Sequence, residues 1–195
     1  YAYLLSWSPS GGLKTLWSMS EPEEVTSVAV SPNYVIVGLS GYSGEQGIVN
    51  AYSINGKELW SYTFPYSWIR GVDYVTISPN QQLIAAATFG AELPYGDLTV
   101  FNAATGNAIW SYTYGTSQFL GTKEAIFSPN GNYLLLIAGN GYASGGYVIL
   151  FNAYNGQVIW DISDLADPWV ASFSPDGQYI VVGSANSYAW GGHNH

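Results

Sequence analysis

The chain has 195 residues, with thirteen acidic side chains against four basic ones, a net charge of −9 and no cysteine. Disulfides and Cys-based metal sites are therefore excluded. With Lys14, Lys57, Arg70 and Lys123 as the fixed cations, the composition argues against nucleic acid and anionic membranes as partners. The length suits one compact domain, and no run of eighteen apolar residues is present to make a membrane-spanning helix.

In chain order, the first elements are two strands, YAYLLSW (1–7) and LKTLWS (13–18), joined by a turn around Gly11-Gly12. A four-strand set then runs from Val25 to Phe64, a second from Val72 to Tyr114 and a third from Glu124 to Ser163. Two strands close the sequence: WVASFS, the turn Pro175-Asp176-Gly177, and YIVVGSA. All are short, rich in β-branched and aromatic residues, and punctuated by Gly, Asn and Pro. No stretch has helical period.

The unit from Glu124 has the clearest pattern. EAIFS alternates and ends in the turn Ser128-Pro129-Asn130-Gly131. Proline there presets φ, and glycine tolerates a positive φ. YLLLIAG is a continuous apolar run, suited to a strand buried on both faces. A Gly-rich loop leads to YVILFNA, and the turn Tyr154-Asn155-Gly156 to QVIWDIS. The strands of such a unit are A, B, C and D.

Two marks repeat. Ser-Pro recurs at Ser31, Ser78, Ser128 and Ser174, in steps of 47, 50 and 46 residues. A turn glycine precedes a tryptophan by four residues at Gly56 and Trp60, Gly106 and Trp110, and Gly156 and Trp160. In the first copy Trp17 follows Gly12 by five. A period near 48 in a β-rich chain marks a radial repeat. The fold expected is all-β: a β-propeller of four four-stranded blades. One blade is split, with strands C and D in residues 1–18 and strands A and B in 164–195. The whole blades occupy 19–64, 65–114 and 115–163.

The tail Ser187 to Gly192 resembles Gly141 to Gly146, so both termini belong to one B–C loop. Closure of the split blade within the chain is then the entropically cheaper pairing. Closure between chains is the alternative, and bare strand edges require one or the other.

The segment LTVFNAATGNAIWSY (98–112) resembles the repeat of quinoprotein-type β-propellers, Ala-x-Asp-x-x-Thr-Gly-x-x-x-Trp. Thr105, Gly106 and Trp110 match, while Val100 and Asn102 stand for the Ala and Asp. FSPDGQYIVVGS (173–184) resembles WD-repeat propellers. The resemblance implies that Trp17, Trp60, Trp110 and Trp160 pack between neighbouring blades as structural residues. The quinoprotein enzymes have eight blades, a bound quinone and Ca²⁺; four blades without a Cys pair lead us to expect no cofactor here.

Function is expected on the face carrying the long B–C and D–A loops, where variable loops stand on a rigid scaffold. It holds Tyr42, Tyr66, Trp68, Tyr95, Phe119, Tyr142, Trp169, Tyr188 and Trp190, rings suited to protein contacts or sugar stacking. Weaker candidates are Asp161, Asp164 and Asp167 for Ca²⁺, and His193 and His195 for a divalent metal. Glu21, Glu23 and Glu24 read as a solvated acidic loop. With both His residues in the tail and no Cys, nucleophilic triads fail on inventory. A carboxylate pair such as Asp73 and Glu92 would still suffice for a glycosidase.

The expected function is a non-enzymatic secreted or cell-surface scaffold that self-assembles into a layer or filament. A glycan- or protein-binding module is the alternative, and a quinoprotein or glycosidase enzyme a lesser one. Low charge with abundant Tyr, Ser and Asn suits an extracellular setting. No nucleic acid, membrane span or N-glycosylation sequon is expected.

Overall fold

The computed structural model describes residues 1–41, 46–65, 69–90, 96–115, 121–139 and 146–184. They form strands and turns, with no helix among them. The first pair is β1 (Ala2–Ser8) and β2 (Gly12–Met19). Three antiparallel four-strand units follow, the first two joined by one pairing between Ser40 and Gly71 into an eight-stranded sheet. They are β3 (Glu24–Val30) to β6 (Glu58–Thr63), β7 (Ile69–Ile77) to β10 (Ala108–Tyr114), and β11 (Gly121–Phe127) to β14 (Val158–Leu165). The last pair is β15 (Pro168–Phe173) and β16 (Ile180–Ser184). The intervening B and C strands are β4 (Tyr34–Ser40) with β5 (Ile48–Ser53), β8 (Leu83–Gly90) with β9 (Gly96–Asn102), and β12 (Tyr133–Gly139) with β13 (Gly146–Asn152). The architecture is a β-propeller.

Local chemistry sets the turns. Ser128 Oγ accepts from the Tyr133 N–H and donates to Asn130 Oδ1, while the Gly131 N–H bonds the Ser128 carbonyl at φ 72°. Ser78 and Ser174 build the same turn. Gln81 takes the place of the glycine, with φ 60°. At the C–D turns Asn102 and Asn152 use their side-chain oxygens to accept two backbone N–H groups each. That accounts for Asn where the quinoprotein repeat has Asp: either side chain supplies the acceptor oxygen of an Asx turn.

Between blades, each sheet lays one face on the next. Ile36 and Ala51 meet Ile84, Ala86 and Phe101. Ala85 and Val100 meet Leu134, Leu136 and Phe151. Leu135 and Leu150 meet Ala171, with Ile180 and Val182 packed alongside. At the other end, Leu4 and Trp17 pack on Val35, Val37 and Tyr52. Strands B and C are buried in all three whole blades, which is why they read as continuous apolar runs.

Trp17, Trp60 and Trp110 each lie over the turn glycine of the following blade, Gly56, Gly106 and Gly156. Each indole N–H donates across at 2.9 Å, to the carbonyls of Ile54, Ala103 and Ala153. They are half-buried rather than fully buried, because the outermost strand leaves the far ring edge to solvent. Trp160 packs with Leu135, Leu150 and Ala171.

The split blade is present as its two complementary halves, β15–β16 and β1–β2, but each is a separate two-stranded sheet. Among the described residues no strand pairing joins β16 to β1. Each half instead packs on its own sequence neighbour, through contacts that cost little loop closure.

Candidate functional site

The candidate site lies at the starts of the A strands, on the loop face. Each A–B pairing is interrupted at an equivalent position, between Val25 and Ser27, Val72 and Tyr74, Thr122 and Glu124, and Pro168 and Val170, and β7–β8 has a second interruption between Ile69 and Gly71. The residues in the bulges are Thr26, Asp73, Lys123 and Trp169, each five residues before the serine of its Ser-Pro turn. A bulge twists its strand and re-aims one side chain. Here it does so four times in register, with four different side chains.

Thr26 turns back and donates to the Val72 carbonyl at 2.6 Å. Asp73 is partly buried. Burial pushes its carboxyl up to about 7, opposed by the Thr122 backbone N–H and the Lys123 charge. Lys123 places its ammonium 4.2 Å from the centre of the Trp169 ring. The Trp169 indole N–H donates to the Asp167 carboxylate. The Lys123–Trp169 contact is a cation–π pair.

A polar cluster supports this row. The Tyr114 hydroxyl donates to the Thr88 carbonyl at 2.7 Å and meets the Thr122 hydroxyl. Burial raises its pKa. The Asp97 carboxylate accepts from Thr113 Oγ1 at 2.6 Å; burial raises its pKa, and that hydrogen bond opposes the rise. Neighbouring A strands are tied together as well: Ser27 Oγ accepts the Val75 N–H, and Glu124 Oε2 the Ala171 N–H.

Of the nine loop aromatics, Trp169 lies on a described strand and is 53 % exposed. Tyr42, Tyr66, Trp68, Tyr95, Phe119, Tyr142, Tyr188 and Trp190 lie outside the described residues, as do Glu92, His193 and His195. The three aspartates proposed for Ca²⁺ differ. Asp161 is exposed, Asp167 is buried and bonded to Trp169, and the Asp164 side chain is outside the described set. No group of three or more His, Asp or Glu side chains placed to share a metal ion occurs among the described residues. Glu21 is not merely solvated: it accepts from Asn50 Nδ2 at 3.1 Å and the Tyr52 hydroxyl at 2.9 Å. Burial, then Glu21, raises the Tyr52 pKa.

The bulges escaped sequence reading because they need the pairing register. Their one visible signal is the fixed offset from Ser-Pro. A concavity of about 440 Å³ lies on the tight-turn face, lined by Tyr34, Gln81, Asn102, Ile109 and Tyr154 among others.

The other unusual surface is at the two ends. Val28 is 62 % exposed, whereas Val75 and Ala125, at the same place in the next blades, are 3 % and 0 %. Val181 is 67 % exposed where Leu135 is 0 %. Trp7 is 71 % exposed where Ala153 is 0 %. Tyr3, Leu5, Val30, Val170 and Tyr179 are exposed beside them.

The chain belongs to the family described as outer membrane protein assembly factor BamB, whose profile matches residues 14–192. No curated protein matches it. Among solved structures it is similar to a protein from Lactobacillus plantarum at TM-score 0.66 and 18 % identity, covering 92 % of this chain and 54 % of that one. It is similar to the Dos1 propeller at TM-score 0.60 and 17 % identity, covering 90 % and 43 %. The computationally designed Ika4 protein matches at 0.57 and 16 %, covering 85 % and 93 %. The chain thus spans about half the length of the first two. At these identities the likeness is one of fold, and with the family profile it makes the protein a quinoprotein-like β-propeller.

Proposed function

We propose that this protein is a non-enzymatic scaffold that self-associates through the end faces of its propeller. The observation carrying this reading is the pair of exposed apolar faces, Val28 and Val30 at one end and Val170, Tyr179 and Val181 at the other. Contiguous apolar surface of this kind marks an interaction site. The described carboxylates support a structural role for the acidic groups: Glu21, Asp97, Glu124 and Asp167 all accept hydrogen bonds inside the fold. Low charge and abundant Tyr, Ser and Asn favour a secreted or cell-surface setting, where the chain would form a layer or filament.

The test is the mass of the purified 195-residue chain by light scattering across a hundredfold concentration range, with electron microscopy of the same samples. Concentration-dependent oligomers or filaments are expected. A monomer throughout rejects the reading.

A second reading is favoured by Trp169. Its ring is half exposed, oriented by Asp167 and flanked by Lys123, an arrangement suited to stacking a sugar ring. A glycan array with wild type and Trp169→Ala tests it. Array signal lost in the variant supports glycan binding, and an empty array rejects it.

A further inference from the structure

The concavity on the tight-turn face forms where one blade departs from the repeat. Leu83 pairs with Asn102 as Tyr133 pairs with Asn152 and Tyr34 with Ser53. The second whole blade therefore carries a leucine where the blades on both sides carry a tyrosine. Ala104 and Tyr154 each follow the asparagine of their C–D turn by two residues, so a second ring is absent there. Where these two rings are absent lies the hollow of about 440 Å³, with Tyr34 and Tyr154 of the flanking blades in its lining. That volume falls within the roughly 300–1,000 Å³ of small-molecule sites. All the lining residues belong to the three whole blades.

The turn at the hollow also breaks the repeat in its backbone. The Gln81 N–H bonds the Ser78 carbonyl as Gly131 bonds Ser128 and Gly177 bonds Ser174. Gln81 has φ 60°, against 72° and 71° for the two glycines. That region disfavours a residue with a Cβ. What the glutamine gains is an amide: its Oε1 accepts the Asn33 N–H of the preceding blade at 3.2 Å. Gln82 Oε1 accepts from Asn80 Nδ2 at 3.4 Å, and Asn102 Oδ1 accepts the Ala104 and Thr105 N–H groups. Each of the three lining amides thus has its oxygen engaged within the turns. Their nitrogens make no hydrogen bond among the described residues. The Tyr154 hydroxyl accepts from Asn80 Nδ2 at 2.8 Å, which leaves its own proton to donate.

The lining therefore combines hydrogen-bond donors with the apolar side chains of Leu83, Ala104 and Ile109, and holds no charged group. A carboxylate or phosphate would call for a cation here. A neutral ligand with a strong acceptor and a small apolar end fits better. An acetamido group has both, a carbonyl for the amide N–H donors and a methyl for the alkyl side chains. Tyrosines with an apolar body and a polar tip suit a sugar ring beside it.

We propose that this hollow binds an N-acetylated sugar, with Gln81, Gln82 and Asn102 donating to its acetamido carbonyl and hydroxyl oxygens. The site is separate from the exposed end faces and from Trp169, which lies on the loop face.

The test is ligand-observed NMR of the 195-residue chain with N-acetylglucosamine, glucose and N-acetylalanine methylamide. Saturation transfer to the acetamido methyl of N-acetylglucosamine is expected. Glucose has the ring without the acetamido group, and binding as tight as that of N-acetylglucosamine overturns the proposal. The blocked alanine has the acetamido group without the ring; affinity equal to the sugar's assigns the hollow to peptides and also overturns it. So does an absence of binding by all three probes. Ala104→Tyr restores, at an exposed position, the ring that the next blade carries in Tyr154, and should abolish the transfer. Gln81→Gly restores the residue of the other turns, and should weaken the sugar by about three- to tenfold through one lost donor. Melting curves of both variants confirm that they are folded. Sugar binding that survives both variants overturns the site, and its loss in Trp169→Ala alone moves binding to the loop face.

Discussion

At the scale of single residues, Asp73 is the side chain whose environment most changes its chemistry. Its folded pKa, about 7, lies above the unfolded value near 3.9, so the native state holds the proton more tightly. Stability from this group is therefore greatest at low pH, falls as pH rises from about 4 to about 7, and is flat beyond. Asp73→Asn should remove that slope, and at pH 8 it should be more stable than wild type by on the order of 1–2 kcal/mol. Urea midpoints at pH 5 and pH 8 check this; a variant with unchanged pH dependence contradicts it. Trp110→Ala removes packing over Gly156 and the bond to Ala153, and should cost about 3 kcal/mol. An unchanged melting temperature would show that the inter-blade packing contributes little. Tyr114→Phe leaves the Thr88 carbonyl short of its strongest donor, so a loss of about 1–2 kcal/mol is expected from the same denaturation curves.

At the scale of elements, β1 and β2 act as a cover. Leu4 and Trp17 shield Val35, Val37 and Tyr52, residues of a blade that is otherwise complete. Deleting residues 1–18 should expose that face and produce aggregation or a clear loss of cooperativity, read by light scattering and thermal melting. A stable, monodisperse truncated chain would show that the cover is dispensable. The four bulges are also an element-scale feature. Each arises because an A strand has one residue more than its partner can match, and each places that residue at the mouth of the loop face. The residue types differ from blade to blade, so the repeat supplies the position and the individual sequence supplies the chemistry.

At the scale of the whole molecule, self-association through the exposed apolar faces would link stability to association. A species that binds only the folded chain raises its stability by mass action, so the melting temperature should rise with protein concentration. Val181→Lys puts a charge into the proposed contact and should abolish both the concentration dependence and any polymer, while leaving the dilute melting temperature within a few degrees of wild type. Polymers that persist in Val181→Lys would place the interface elsewhere, with the loop aromatics the next surface to test.

Much of the fold was legible in the sequence because its signals are local. Ser-Pro turns, turn glycines at positive φ, alternation and repeat tryptophans all act within a few residues or recur at a fixed step. They specify four strands per blade and two complementary halves. Other features were decided by tertiary structure. The bulged row of Thr26, Asp73, Lys123 and Trp169 depends on strand register, and the Lys123–Trp169 contact joins residues in different blades. Glu21 reads as a solvated loop residue until Asn50 and Tyr52 fold against it. Above all, burial of Val75 and exposure of Val28, two similar residues at the same place in the repeat, depends on whether a preceding half-blade lies against them. Repeat sequence encodes each blade's inner chemistry. Which blade faces are covered is a non-local outcome, set by which sheets lie against one another.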